Sequence, residues 1–332
     1  MPNLYVITQG AKLKLKGSSV IIEKDDEIIQ ELELIHIDNI IVYGNIQFST
    51  QLVKRLVRYG KSLTLLYYNG SLAGRFVPAY SKDVQSRIMQ IEMHNDQCKK
   101  LYFARKIVHQ KIENCIGLTQ RYETYHPDRN LNDYQNELQE YSNRVQKCDN
   151  ENELLGLEGS AARVYFSAFD SMLVDEWKFT GRTKHPPQDP INSILSFGYT
   201  ILANEIGALA EASGLDPFVG FYHTTEYGRQ SLAQDILEIF RAPIVDRVAL
   251  RLFNLNRLQE SHFMETEKGI RFRRDAIQIF IREYEKVLQS EVEDELTSQK
   301  VSYRRILQLQ IERLKNYIKN EKELWLFDYR KY

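Results

Sequence analysis

Asp235 and Glu238 stand three residues apart in the stretch Ser231-Leu232-Ala233-Gln234-Asp235-Ile236-Leu237-Glu238. On a helix that spacing puts both carboxylates on one face, beside an apolar face formed by Leu232, Ile236, Leu237 and Phe240. Two such acids repel one another unless a cation sits near them. Spacing alone leaves open whether that cation is a metal ion or the side chain of Arg229 or Arg241 on a solvated face. A third acid, Glu158, lies in Leu154-Leu155-Gly156-Leu157-Glu158-Gly159-Ser160. The flanking glycines and small residues predict that Glu158 begins a helix that another element can approach closely, and a carboxylate there also suits the helix dipole without any further role. His223 closes the apolar approach Pro217-Phe218-Val219-Gly220-Phe221-Tyr222 and precedes Thr224-Thr225-Glu226, a place for either a ligand or a satisfied edge histidine.

If Glu158, His223 and Glu238 converge, they offer two hard oxygens and one imidazole nitrogen, with positions left for water and a phosphate oxygen. That donor set suits Mn²⁺ or Mg²⁺. A cation so held stabilises charge on a pentacovalent phosphate and positions an attacking hydroxyl, which is what phosphodiester cleavage or strand transfer needs. Basic residues fit a polyanion nearby: Arg182, Lys184 and His185 before Pro186-Pro187, and Arg271, Arg273 and Arg274 around Phe272 at the start of a predicted helix. Arg163 and Arg229, within three residues of the acid-bearing stretches, are counted with them as DNA contacts. Each cluster taken alone also reads as a solvated basic face. The 20 tyrosines could stack on unpaired bases, although core and interface positions will take most of them. No glycine-rich phosphate loop is present, because Gly156 to Ser160 lacks the lysine and the spacing, and no GxSxG elbow marks a serine hydrolase.

The elements that must position these residues change character along the chain. Residues 1–80 read as a small β domain of short strands, with turns at Gly10, Gly17 and Asn69-Gly70. One helix is inserted, capped by Ser49, buried through Leu52, Val53, Leu56 and Val57, and stopped at Gly60. Beyond a linker at Pro78 to Val84, residues 81–332 carry apolar residues at three- and four-residue spacing and predict a larger all-α domain. Helices are expected over 81–121, 132–147, 158–176, 191–213, 229–240, 243–254, 270–289 and 300–319. The fold class expected is α+β.

Composition excludes several classes. With 332 residues, 8 prolines and 16 glycines, the chain is neither a mini-protein nor a low-complexity polymer. Cys98, Cys115 and Cys148 are odd in number and far apart, which argues against a disulfide framework or zinc ribbon. No uninterrupted apolar run approaches the roughly 20 residues of a membrane span, and the N-terminus lacks the basic and apolar regions of a signal peptide, so no membrane partner and a cytoplasmic location are expected. The net charge of -1 gives no global attraction to polyanions, although residues 300–332 carry nine basic and four acidic side chains, a local excess of +5.

With these stretches in view, nearly the whole chain resembles the CRISPR-associated integrase family often called Cas-one, the larger of the two universal spacer-acquisition proteins. The resemblance rests on LLGLEGSAARVYF at 154–166, RTKHPPQDPINSILSFGYTILANE at 182–205, DPFVGFYH at 216–223 and GRQSLAQDILEIFRAPIVDR at 228–247. IDNIIVYGN at 37–45 and SLTLLYYNGSLAGRF at 62–76 agree with it. It implies an N-terminal β domain that dimerises, a helical catalytic domain, homodimers, and assembly with the small partner Cas-two into a heterohexamer-like complex. It further implies a metal-dependent DNA endonuclease and integrase that inserts short spacers into a CRISPR array in antiviral defence, acting on double-stranded spacer precursor and repeat DNA. Carried over residue by residue, Glu158, His223 and Glu238 become the metal ligands, and Asp235 becomes a neighbouring catalytic acid of less settled role. Gln188, Ser193 and Tyr222 depart from the family pattern without touching a proposed ligand. The competing reading is a helical nucleic-acid-binding scaffold whose acids are structural and which performs no chemistry.

Overall fold

The computed structural model describes residues 2–78, 83–174, 176–183, 186–267, 269–320 and 323–331. The chain divides into two compact units, Met1–Val84 with Glu211–Gly214, and Gln85–Ala210 with Leu215–Tyr332.

The first unit is built from β1 (Leu4–Val6), β2 (Lys12–Lys16), β3 (Ser19–Lys24), β4 (Glu27–Glu33), β5 (Ile40–Tyr43), β6 (Gln47–Phe48), helix α1 (Thr50–Arg58), β7 (Leu63–Leu66) and β8 (Leu72–Phe76). These strands form two four-stranded sheets, in the orders β1-β5-β7-β8 and β4-β3-β2-β6. In the first, β1, β5 and β7 run parallel and β8 returns antiparallel, through a turn in which Gly70 adopts a φ of +82°. Alternation along the strands sends Leu13, Val20, Ile22, Ile40, Val42 and Leu63 into one core, which Leu52 and Leu56 of α1 complete. Ser49 caps α1 as expected, accepting a hydrogen bond from the Leu52 amide at 3.3 Å. Leu34 is buried in this core, whereas Ile28 and Ile29 on edge strand β4 are 54% and 53% exposed.

The second unit is mainly helical: α2 (Val84–Asn95), α3 (Gln97–Tyr125), α4 (Asn132–Gln146), α5 (Glu151–Ser171), α6 (Pro190–Ser213), α7 (Ser231–Phe240) and α8 (Arg247–Asn254), then β9 (Phe263–Thr266), β10 (Gly269–Phe272), α9 (Arg274–Gln289), β11 (Glu291–Asp294), β12 (Gln299–Ser302) and α10 (Tyr303–Asn320). The expected linker falls mostly on residues 79–82, outside the described residues. The single helix expected over 81–121 is two helices, because Asp96 accepts from the amides of Cys98 and Lys99 and starts α3 afresh. The helices expected from 270 and 300 begin four and three residues later, after the antiparallel hairpins β9–β10 and β11–β12. A six-residue π-helical segment, Arg241–Asp246, joins α7 to α8.

Among the described residues α6 alone has the length and apolarity of a membrane span, and most of its apolar window is buried inside the protein as a core helix. The C-terminal segment is threaded into the same unit, with Phe327 and Tyr329 buried. Asn114 on α3 fastens it: its amide donates to the carbonyls of Phe327 and Ile239, and its oxygen accepts from the Tyr329 amide at 2.8 Å. A side chain in place of Gly117 on α3 would press on the backbone of Tyr329 and Arg330.

Candidate active site

Glu158, His223, Asp235 and Glu238 come together in the second unit, delivered by α5, the loop before α7, and α7. The expected helix start at Glu158 is overturned: Asn150 caps α5, accepting from the Glu153 amide at 2.9 Å, which places Glu158 well inside the helix and away from its N-terminal dipole. Nor do Gly156 and Gly159 admit a close neighbour, since a side-chain carbon at either would meet open space. The glycine with that function is Gly220, where an added Cβ would lie 2.7 Å from the Ser231 backbone and 2.9 Å from Asp235 Oδ2.

Fully buried Asp235 receives the folded loop. Its Oδ2 accepts from the amides of Phe221 and Tyr222, and its Oδ1 from the His223 amide at 2.8 Å. Nδ1 of His223 also lies 2.8 Å from Oδ1. A carboxylate only accepts, so Nδ1 carries a proton, and a ring in its neutral form would hold its lone pair on Nε2. Nε2 faces Glu238, 3.7 Å from its Oε1. From the other side, Gln90 and His94 of α2 hold the loop: Gln90 exchanges hydrogen bonds with Asp216 and donates to the Val219 carbonyl, and His94 Nδ1 lies 2.5 Å from the Gly220 carbonyl.

The carboxylates meet two cations. Lys111 of α3 pairs with Glu158 Oε1, and its Nζ lies 2.8 Å from Glu238 Oε2. Arg241 Nη2 is 2.8 Å from Glu238 Oε1, so the pairing considered for Arg241 is present, while Arg229 pairs with Glu226. Burial by itself would raise the Glu238 carboxyl, but the charges of Arg241 and Lys111 bring it down to about 2. For Lys111, burial opposes the charged form, and Glu238 and Glu158 outweigh it and push the ammonium upward. Neither Lys111 nor the α2 residues were among the sequence candidates, for they sit in ordinary amphipathic helices with no local motif.

A cavity of about 780 Å³ opens here, lined by Lys111, Glu158, Arg182, Tyr199, Arg241 and Asp246 among others. Guanidinium carbons of Arg241 and Arg182 lie 4.6 and 5.4 Å from the Tyr199 ring centre. The hydroxyls of Tyr199 and Tyr165 both donate to buried Asp246, whose pKa burial raises. Arg182 is also tied down, donating to Asn192 Oδ1 and Ser196 Oγ. Arg163, Arg271, Arg273 and Arg274 are exposed, and Lys184 and His185 lie outside the described residues.

The donor chemistry fits a hard divalent cation. Two carboxylates from separate helices already share one positive group, an imidazole nitrogen lies 3.7 Å from Glu238, and Glu238 Oε2 is buried with the Lys111 ammonium beside it. Among the described residues no three such side chains are drawn around one point closely enough to ligate an ion as they stand. The place between Glu158 and Glu238 is taken by the Lys111 ammonium.

Residues 4–286 match the family model described as CRISPR associated protein Cas1. A CRISPR-associated endonuclease Cas1 of Thermus thermophilus is 31% identical over 306 residues, 92% of this chain and 90% of that protein. One from Chlorobaculum tepidum is 30% identical over 97% of this chain and 96% of that protein. Among solved structures, a Cas1 protein of Thermotoga maritima superposes with a TM-score of 0.79 at 25% identity, covering 98% of this chain and all of that one. A casposase bound to integration product shares the fold with a TM-score of 0.85 at 23% identity, covering 100% of this chain and 94% of that one. With four motifs in order and a match running from the first strand into α9, the chain belongs to the Cas1 family of CRISPR-associated endonucleases.

Proposed function

We propose that the protein is a metal-dependent DNA endonuclease and integrase that inserts short spacers into a CRISPR array, with Glu158, His223 and Glu238 holding Mn²⁺ or Mg²⁺. The observation that supports this reading is the chain of contacts among those side chains: the Lys111 ammonium joins Glu158 to Glu238, and His223 Nε2 lies 3.7 Å from Glu238. A divalent ion there would stabilise charge building on the scissile phosphate and orient the attacking 3′ hydroxyl. The chain's own residues supply the rest. Asp235 fixes the His223 tautomer and ring, Glu158 and Glu238 contribute the negative charge that retains a cation, and Arg241 offers a guanidinium to a phosphate oxygen.

Homodimers and assembly with Cas2 belong to the same proposal, supported by the kinship of this chain to Cas1 and by its structural likeness to the Cas1 portion of a Cas6-RT-Cas1–Cas2 complex. Exposed Arg163, Arg271, Arg273 and Arg274, with Arg229, are the proposed contacts to duplex DNA.

One observation favours the scaffold reading instead: both acids are neutralised from within by Lys111 and Arg241. A strand-transfer assay with Mn²⁺ and short DNA duplexes separates the two. The wild-type chain is expected to join DNA ends, and Glu158→Ala, His223→Ala and Glu238→Ala are each expected to reduce joining to background while the far-ultraviolet spectrum stays native. Three variants as active as wild type would overturn the site, and an inactive wild type that still binds DNA would favour the scaffold.

A further inference from the structure

We infer that Lys111 is a built-in counter-ion that occupies the cation place between Glu158 and Glu238 in the metal-free protein and is displaced when the metal ion enters. The inference rests on the metal reading above and adds a residue that reading does not contain. The Lys111 side chain is only 12% exposed and bridges carboxylates from α5 and α7, so it joins three helices through one ammonium group. Without it, two carboxylates facing the same place would repel each other at low dielectric, with Arg241 contacting only Glu238.

Charge bookkeeping makes the occupancy exclusive. Glu158 and Glu238 against Lys111 and Arg241 sum to zero. A divalent ion added at contact distance from the ammonium would leave an uncompensated charge of about +2 in a largely buried place, which is unfavourable. If the ammonium withdraws, the two acids, Arg241 and the ion sum to about +1, which suits an incoming phosphodiester. Lys111 also lines the adjoining cavity, so Nζ has room to move by rotation of its own flexible side chain. Lys111 is thus a positioning residue: it holds the two acids together in the empty state and then yields them, changing partner from carboxylate to DNA phosphate.

The test measures Mn²⁺ binding to the full chain without DNA, by the free-ion electron paramagnetic resonance signal and by calorimetry, together with the melting temperature with and without Mn²⁺. Wild type, Lys111→Met, Lys111→Gln and Glu238→Gln are compared. Lys111→Met is expected to bind Mn²⁺ about tenfold tighter than wild type, to melt lower when metal-free, and to gain more from Mn²⁺ on heating. Should the methionine variant fail to fold, Lys111→Gln carries the same expectation. Glu238→Gln is expected to weaken binding. If wild type binds Mn²⁺ and the Lys111 variants bind no tighter, this inference falls and the metal reading stands. If neither wild type nor the Lys111 variants bind at millimolar Mn²⁺, both fall.

Discussion

At Asp235, three backbone amides and one imidazole converge on two carboxylate oxygens inside the core. Neither oxygen can become an NH₂ group without setting donor against donor, so Asp235→Asn, though nearly isosteric, is expected to lower stability by about 1–3 kcal/mol. It also loosens the partner that fixes His223, and removal of such an orienting group typically weakens metal affinity by roughly 10- to 100-fold. Calorimetric unfolding and Mn²⁺ titration of the variant would check both, and a variant matching wild type in each would show that the loop is held by other groups. A pair of acids on one helix face was visible in the sequence, but their division of labour was not. Their three-residue spacing is shared, whereas one side chain turns into the protein toward a loop and the other toward Lys111 and Arg241. That difference depends on what packs against α7.

Two kinds of glycine separate the elements that were legible from those that were not. Gly156 and Gly159 lie within α5 with nothing near a future Cβ, so alanine there is expected to raise stability by about 0.5–1 kcal/mol through helix propensity. Gly220 lies against Ser231 and Asp235, and Gly220→Ala is expected to push the His223 loop away from α7, lowering both melting temperature and strand transfer. If melting curves ranked the three alanine variants in the opposite order, this account of the loop would fail. Local signals served α1 well, because Ser49, the apolar stripe and Gly60 all lie within one short segment. They failed at the start of α5, where two glycines suggested a boundary that Asn150 had already set, and at Asp96, a cap hidden inside a continuous apolar period. The hairpins β9–β10 and β11–β12 have strands of four residues each, too short for alternation to stand out against a helical pattern. Lys111 was out of reach for another reason: its partner Glu158 is 47 residues away.

For the molecule as a whole, the exposed pair Ile28 and Ile29 on edge strand β4 bears on assembly. Leu34 fills its own unit's core and Leu32 packs partly against it, whereas the two isoleucines are largely exposed. The proposed homodimer therefore predicts that the purified chain sediments as a dimer and that Ile28→Glu with Ile29→Glu yields monomers of unchanged helicity. A wild-type monomer at tens of micromolar would oppose this unless Cas2 restores pairing. Acid stability provides a second whole-molecule test. Burial would raise the Asp294 carboxyl, but hydrogen bonds from Arg313 and Thr297 and the Arg313 charge hold it below its usual 3.8. A carboxylate depressed in the folded state lends stability that is fully present above its unfolded value, so its contribution fades as pH falls below about 3.8. Asp294→Asn is thus expected to be less stable near neutrality and to show a shallower loss of stability on acidification, as read by urea midpoints across pH.

The bonds that Asn114 makes to the C-terminal segment also bear on the order in which the protein is made. Those to Phe327 and Tyr329 span 213 and 215 residues. During synthesis from the N-terminus, at roughly 5–20 residues per second, α3 emerges many seconds before its last partners do. Until then Asn114 keeps the Ile239 carbonyl and the Gln110 amide as partners, and the groove beside Gly117 that receives Tyr329 and Arg330 lacks its C-terminal occupant. The first unit is formed almost wholly by the first 84 residues and can fold early, whereas α3 and α7, already joined directly through Lys111 and Asn114, gain their further packing against Phe327 and Tyr329 only after those residues are made. The second unit therefore completes its packing late in synthesis, and a chain cut short before Phe327 leaves Asn114 and the groove beside Gly117 without their C-terminal contacts.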